Sequence, residues 1–232
     1  MIELAQIDTE PEACPYLPGR EARTRYRLVT ELMPSEYDEK LSQGWRRFGN
    51  ILFSPRCSGC SECLSIRVPV DRFSPSRSQR RVLRRNRNIS LEVGVPKLDE
   101  ERLALYTRHH ADRETRRGWP AASMGLEEYY ETFCLNPVET LEFCYRLDEC
   151  LVAVAYVGEA EESLNSIYAF TDPALARQSL GVYDVLCEIE AARRLSRKYL
   201  YLGYYVSGCK SMEYKASYRP HEILGPDGWQ EA

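Results

Sequence analysis

The chain predicts a mixed α/β (α+β) fold in two parts, and three observations carry that expectation. Apolar residues alternate with period two at Tyr26, Leu28, Thr30 and Leu32 and again at Ile66, Val68 and Val70, as half-buried strands require. Late in the chain Val182, Leu186, Ile189 and Arg193 recur at helical spacing, and the aromatic strand candidate KYLYLGYYV follows directly. Between these regions three cysteines stand two residues apart in PRCSGCSECLSIRVPV, Pro55 to Val70, a spacing that belongs to a compact ligand-holding loop.

Taken in order, Tyr26–Leu32 reads as a strand, and Pro34 to Gly44 as a short helix with Tyr37 and Leu41 one turn apart and Gly44 as its stop. Trp45 to Phe53 reads as a second strand and Ile66–Val70 as a third. Ser76 and Gln79 stand at capping-box spacing, so a helix starts at Ser76, just after Pro75. Gly94 and Pro96 break the pattern and place a boundary at Val93–Lys97, dividing the chain into residues 1–95 and 96–232. Asp99 caps a helix with Leu103, Tyr106 and His110 on one side. Thr140–Leu147 and Leu151–Val157 form a hairpin, Leu164–Phe170 a further strand, and the 182–193 helix and the aromatic strand complete the second part. Three antiparallel strands, a helix and another strand is the order of an acyltransferase-like α/β layer.

Composition narrows the class. At 232 residues, 44% hydrophobic and 28% charged, the chain has the make-up of an ordinary globular protein with a sizeable core. It has no apolar run near twenty residues, and its acidic start, MIELAQIDTEPEA, lacks a basic-then-apolar leader, which points to a cytoplasmic protein with no membrane partner. Nine cysteines, an odd number, argue against a disulfide framework in that compartment. Cys134, Cys144, Cys150 and Cys187 read as small buried hydrophobes. Cys57, Cys60 and Cys63, joined by the upstream Cys14, present four thiolates suited to tetrahedral zinc or an iron–sulfur cluster.

The net charge of −4 hides an asymmetry. From Arg72 to Arg87 there are seven arginines and no acid. Salt-bridged surface helices interleave both signs; this one does not, and Arg77, Arg81 and Arg84 share one face while Arg80, Arg84 and Arg87 share the next. A cationic ridge of that density suits a phosphate backbone, so Arg80, Arg81, Arg84, Arg85 and Arg87 are assigned to RNA. Gly181, in RQSLGVY at a helix start, is assigned to the same partner, because helix-initiating N–H groups receive phosphates.

The runs CPYLPGR (Cys14–Arg20), Cys57–Arg67, SPSRSQRRVLRRNRN (Ser74–Asn88), YAFTDP (Tyr168–Pro173), SLGVY (Ser179–Tyr183) and YLYLGYYVSGCKSMEYKASYRPHEIL (Tyr199–Leu224) resemble the bacterial branch of the arginyl-tRNA–protein transferase family, the aspartate/glutamate leucyltransferases. The resemblance spans nearly the whole chain. It implies a GNAT-like C-terminal half behind a smaller N-terminal, cysteine-cluster domain that recognises the acceptor. It also implies transfer of leucine from leucyl-tRNA to proteins with N-terminal Asp or Glu, marking them for N-degron degradation. The single cysteine in CPY, where eukaryotic arginyltransferases carry a C-x-x-C pair, places the chain with the leucine-using branch; arginine is the alternative donor.

Aminolysis of an activated ester needs no covalent enzyme intermediate, because an α-amino group of pKa ~8 is roughly a tenth neutral at pH 7. A proton acceptor and an oxyanion donor are expected from Tyr204, Tyr205, Tyr214 and Lys215, and no cofactor is required for transfer. An acidic acceptor needs a fixed cation, for which Arg67, Arg77 and Gln79 are the candidates. Cys209, with no histidine near it in sequence, reads as a packing or positioning residue. Two rival classes use the same fold: an acetyl-CoA-dependent N-acetyltransferase, whose pyrophosphate loop would want a second glycine where Tyr183 stands, and a non-catalytic RNA-binding module.

Overall fold

The computed structural model describes residues 1–121 and 123–232. Strand β1 (Ile2–Asp8), the short ribbon β2 (Glu12–Ala13) and β3 (Glu21–Ala22), and β4 (Thr24–Glu31) precede helix α1 (Pro34–Ser42). The expected strand over Trp45–Phe53 is a hairpin instead, β5 (Arg46–Phe48) and β6 (Ile51–Pro55). It folds back at Gly49, whose φ of 56° is the left-handed conformation that glycine adopts without a steric penalty. β1, β4, β6 and β5 form a small antiparallel sheet in that order.

β7 (Leu64–Pro69), helix α2 (Arg77–Arg85) and β8 (Ser90–Gly94) follow. Ser76 caps α2 and Gln79 answers it, the reciprocal box read from the sequence. Next come α3 (Glu100–Arg117), capped by Asp99, then α4 (Leu126–Tyr129) and the strands β9 (Thr140–Leu147), β10 (Cys150–Glu159) and β11 (Ser163–Thr171). Helix α5 (Leu180–Arg194), β12 (Tyr199–Tyr205), α6 (Lys210–Glu213), β13 (Glu222–Gly225) and β14 (Gly228–Glu231) end the chain.

The large sheet has eight strands in the order β14-β13-β7-β12-β11-β10-β9-β8. The boundary at residue 95 therefore does not separate two sheets: β7 and β8, both from the first part, are strands of the second part's sheet, β7 wedged between β12 and β13. Strand β10 is apolar almost throughout because both its faces are covered. Ala153, Ala155 and Val157 join the core under α5, while Val154 and Tyr156 join the core under α3. A third cluster, Val29, Tyr37, Leu41, Trp45 and Leu52 with Val138, Ala160 and Tyr201, ties the small sheet to the large one. Of the four cysteines expected inside, Cys144 is buried and Cys134 and Cys187 are partly so, but Cys150 is exposed, because it opens β10 at the hairpin turn.

Candidate active site where two strands part

β11 and β12 pair in parallel over only three positions, Ser163 with Tyr199, Leu164 with Leu200 and Asn165 with Tyr201. Beyond them β11 stays with β10 and β12 stays with β7, so the sheet opens. Both strands are irregular at that level. On β11, Ile167 has no opposite residue between the Tyr156–Tyr168 and Val157–Ser166 pairs; on β12, Leu202 has none between Tyr201–Arg67 and Gly203–Ile66. A bulge of this kind takes one residue out of the ladder and re-aims its neighbours.

Arg46, from β5 of the small sheet, enters the opening. Its Nη2 donates to the Ser166 carbonyl at 2.8 Å, and its guanidinium lies against the bare Cα of Gly203, which has φ 91°. Arg46 is 8% exposed, its Nη1 has no hydrogen-bond partner, and no carboxylate among the described residues forms an ion pair with it. Burial lowers its pKa, as expected for an uncompensated cation.

Helix α5 covers the sheet here and carries two acids on its apolar stripe, one turn apart. Asp184 accepts a hydrogen bond from the Tyr145 hydroxyl at 2.7 Å, and burial pushes its carboxyl up to about 7. Glu188 is fully buried, neither of its oxygens has a partner, and burial with the nearby Asp184 raises its pKa strongly. Lys215 donates from Nζ to the Tyr204 carbonyl at 2.7 Å, and burial, helped by Arg46, lowers its pKa to about 7.

The expected tyrosines part company. The Tyr204 hydroxyl is spent on the Gly44 and Phe53 carbonyls at 3.0 and 3.3 Å, holding the small sheet to β12. Tyr205 packs against the core under α5, Tyr214 exposes about half its ring beside Lys215, and Cys209 is buried with Sγ 3.2 Å from the Ser211 hydroxyl. Tyr218 is buried with an unpartnered hydroxyl. Arg46, Asp184 and Glu188 escaped the sequence reading. The signal for the acids was present: two carboxylates four apart inside the stripe of Leu180, Val185, Ile189 and Ala192.

Cys14, Cys57, Cys60 and Cys63 line one pocket of about 160 Å³ together with Tyr16 and Tyr204. N–H groups of Leu17 and Arg23 point at Cys14 and Cys57 at 3.4 and 3.5 Å, and the Arg20 guanidinium donates to Cys60 at 3.2 Å. Burial and the neighbouring thiols push Cys63 up to about 12. The donor chemistry fits a thiolate-bound metal, although no three His, Cys, Asp or Glu among the described residues are grouped so as to hold one. A second cavity, of about 440 Å³, shares Cys57, Cys60, Cys63 and Tyr204 and is lined also by Gly44, Ser54 and Ser65.

Two of the three acceptor candidates are committed elsewhere. Arg67 bonds Glu222 at 2.8 Å and the Tyr201 hydroxyl at 3.0 Å, and its guanidinium lies 3.7 and 4.1 Å from the Tyr199 and Trp229 ring centroids. A guanidinium already paired and stacked on both faces has no fork left for a substrate. Gln79 is buried in its capping box and donates to the Ser217 carbonyl at 3.3 Å. Arg77 alone of the three is exposed and without a partner among the described residues, at the head of α2.

α2 presents Arg77, Arg80, Arg81, Arg84 and Arg85 to solvent; Arg87 is exposed too but lies past the Asn86 cap, so it does not share the helix face expected with Arg80 and Arg84. Arg80 also donates to the Pro75 carbonyl at 2.6 Å. Arg85 donates to the Arg177 carbonyl and Asn86 to that of Gln178, so the basic helix lies beside the loop that leads into α5. Gly181, in the first turn of α5, is exposed there, and a β-carbon at that position would meet nothing within 4 Å. The Gln79–Ser217 bond sets the other end of α2 beside the turn that carries Lys215.

Comparison with known proteins bears on this site. Residues 12–81 match the family model "Arginine-tRNA-protein transferase, N terminus" and residues 101–225 match its C-terminus counterpart. An aspartate/glutamate leucyltransferase of Campylobacter jejuni is 35% identical over 225 residues, covering 97% of this chain and 94% of that protein. Proteins of the same description from Hahella chejuensis and Helicobacter hepaticus are 35% and 32% identical over 95% and 96% of this chain. Among solved structures, the C-terminal domain of a putative lysylphosphatidylglycerol synthetase from Agrobacterium fabrum superposes with TM-score 0.51 at 15% identity, covering 73% of this chain and 58% of that one. FemX superposes with TM-score 0.50 at 10% identity, over 83% of this chain and 65% of that one. These likenesses agree with the expected GNAT-like layer.

Proposed function

The chain belongs to the arginine-tRNA–protein transferase family, and from that premise we propose that it carries leucine from leucyl-tRNA to the amino terminus of proteins beginning with aspartate or glutamate. It is an aminoacyltransferase; its donor is an aminoacyl-tRNA and its acceptor a protein. The observation that carries the reading is 35% identity to leucyltransferases over nearly the full length of both chains. The added leucine would mark the product for degradation.

In the reaction the acceptor α-nitrogen attacks the leucyl carbonyl, the C–N amide bond forms, and the ester C–O bond to the ribose breaks. The proton lost by nitrogen must reach the ribose oxygen. Lys215, with a pKa of about 7, is half neutral at neutral pH and then has a lone pair to take that proton and pass it on. The bulge at Ile167 takes a backbone N–H out of the ladder where the strands part, the place where a carbonyl oxygen gaining charge would be met. Exposed Arg80, Arg81, Arg84 and Arg87, with Arg85 and Gly181 at the α5 entrance, form the surface we assign to tRNA.

Four thiols about one pocket support a structural zinc or iron–sulfur group on Cys14, Cys57, Cys60 and Cys63, which would stiffen the 57–63 loop and takes no part in the transfer. Labelled leucine, arginine or phenylalanine on tRNA, offered to peptides starting with Asp or Glu, tests the reading. Leucine should be transferred in preference to the other two, and exclusive arginine transfer would overturn the choice of donor.

A further inference from the structure

Two buried ionisable groups of opposite type stand near Ser166, and neither forms an ion pair among the described residues. Arg46 bonds the Ser166 carbonyl through Nη2 and keeps Nη1 without a partner; Glu188, on the α5 side with the Ser166 side chain and Arg46 near it, has no hydrogen bond of good geometry on either carboxyl oxygen among the described residues. No ion pair joins them. Leaving a buried charge or polar group unsatisfied is costly, and proteins tolerate it where a ligand completes the contact. The missing ligand must therefore carry a cation and an anion close together. The first residue of an acidic-headed protein is such a group: an α-ammonium with a carboxylate one or two methylenes away.

We propose that Arg46 and Glu188 are the receptor for the acceptor's first residue, Arg46 binding its side-chain carboxylate through Nη1 and Glu188 holding its α-amino group. The assignment deepens the transferase reading and rests on it. It places the amine at the level of the Ile167 bulge, where the leucyl carbonyl is expected. It also explains Gly203: with any β-carbon there, 2.6 Å from the guanidinium, Arg46 could not lie in the opening. The cavity of about 440 Å³ beside the cysteine loop is lined by Tyr204, the residue that follows Gly203 on β12. Arg67, one of the three candidates in the sequence, is closed to a substrate by Glu222 and two aromatic rings.

The test measures kcat/KM with leucyl-tRNA on peptides that differ only in Asp, Glu or Asn at position 1. The wild-type protein should prefer Asp. Arg46→Gln should cut the Asp-to-Asn ratio by about 30-fold or more, as expected for losing the partner of a buried carboxylate. Arg46→Lys retains the charge on a different reach, so it is the variant expected to keep the fold. It should shift the Asp-to-Glu preference by at least about threefold. Glu188→Gln should raise KM for both peptides alike and leave tRNA affinity unchanged. An Asp-to-Asn ratio unmoved by either Arg46 variant, or equal losses on both peptides, overturns the receptor while the transferase reading stands. Failure of the wild-type protein to transfer any amino acid to the Asp peptide overturns both.

Discussion

A β-carbon on Gly203 would stand 2.6 Å from the guanidinium of Arg46, closer than non-bonded carbon and nitrogen approach in folded proteins. Gly203 also has φ 91°, which side-chain-bearing residues rarely adopt. One small residue on a large-sheet strand thus admits one cation from the small sheet, and the two sheets meet at the point where β11 and β12 separate. Gly203→Ala should consequently lose on the order of 2 kcal/mol or more of stability, from backbone strain and from displacing Arg46. Chemical denaturation measures it; an unchanged midpoint would mean that Arg46 is free to move aside.

Lys215 and Asp184 make opposite contributions to stability across pH. The folded pKa of Lys215, about 7, lies below its unfolded value, so the unfolded chain binds more protons between about 7 and 10.4 and this group makes stability rise with pH through that window. Asp184, raised to about 7 from ~3.9, binds its proton more tightly when folded, so its contribution is present below pH 4 and lost as pH rises towards 7. Lys215→Met should flatten the upper window and Asp184→Asn the lower one. Urea midpoints at pH 5, 7 and 9 separate the two, and identical slopes for wild type and variants would contradict the burial of both groups. In the transfer reaction Lys215→Met should also remove the rise in rate near pH 7.

The arginines of α2 give a salt-dependent prediction. Changing Arg81, Arg84 and Arg87 to Gln should weaken tRNA binding and reduce the log–log salt slope by about 0.7–0.9 for each phosphate that is no longer neutralised. Fluorescence anisotropy at several salt concentrations reads both quantities. An unaltered slope would return these residues to an ordinary solvated face.

The cysteine pocket predicts a metal content. Cys57→Ser, Cys60→Ser and Cys63→Ser should each lower bound zinc or iron and the yield of folded protein, whereas Cys187→Ser, which packs against the core under α5, should change neither. Elemental analysis and absorption spectra of the purified variants decide it. Equal metal content in all four would leave the thiols as an uncoordinated lining of the acceptor cavity.

The periodic elements were legible because each rests on local chemistry: the Ser76–Gln79 box, the Asp99 cap, and the 182–193 helix all lie where spacing put them. The Trp45–Phe53 hairpin was not, since its apolar residues run on through a turn that only Gly49 marks. Arg46 was hidden for a different reason. Arg46 and Arg67 look alike in sequence, and what separates them is tertiary: Glu222, 155 residues from Arg67, closes one, and no carboxylate among the described residues reaches the other.

That contrast makes Arg67 the last test. Its side chain is 12% exposed and that of Glu222 is 14%, so Arg67→Met removes one partner from a largely buried pair and takes the guanidinium from the Tyr199 and Trp229 rings. The expected loss is about 2–4 kcal/mol, at the low end because Arg72 still reaches Glu222 at 2.9 Å. Arg67→Met combined with Glu222→Met should recover part of that loss, because the stranded carboxylate goes with its partner. The protein that remains folded should keep its preference for Asp over Asn peptides, since Arg67 faces β13 and not the opening. A folded Arg67→Met variant that accepted Asp and Asn equally would return the acceptor site to β7 and exclude Arg46 as its cation.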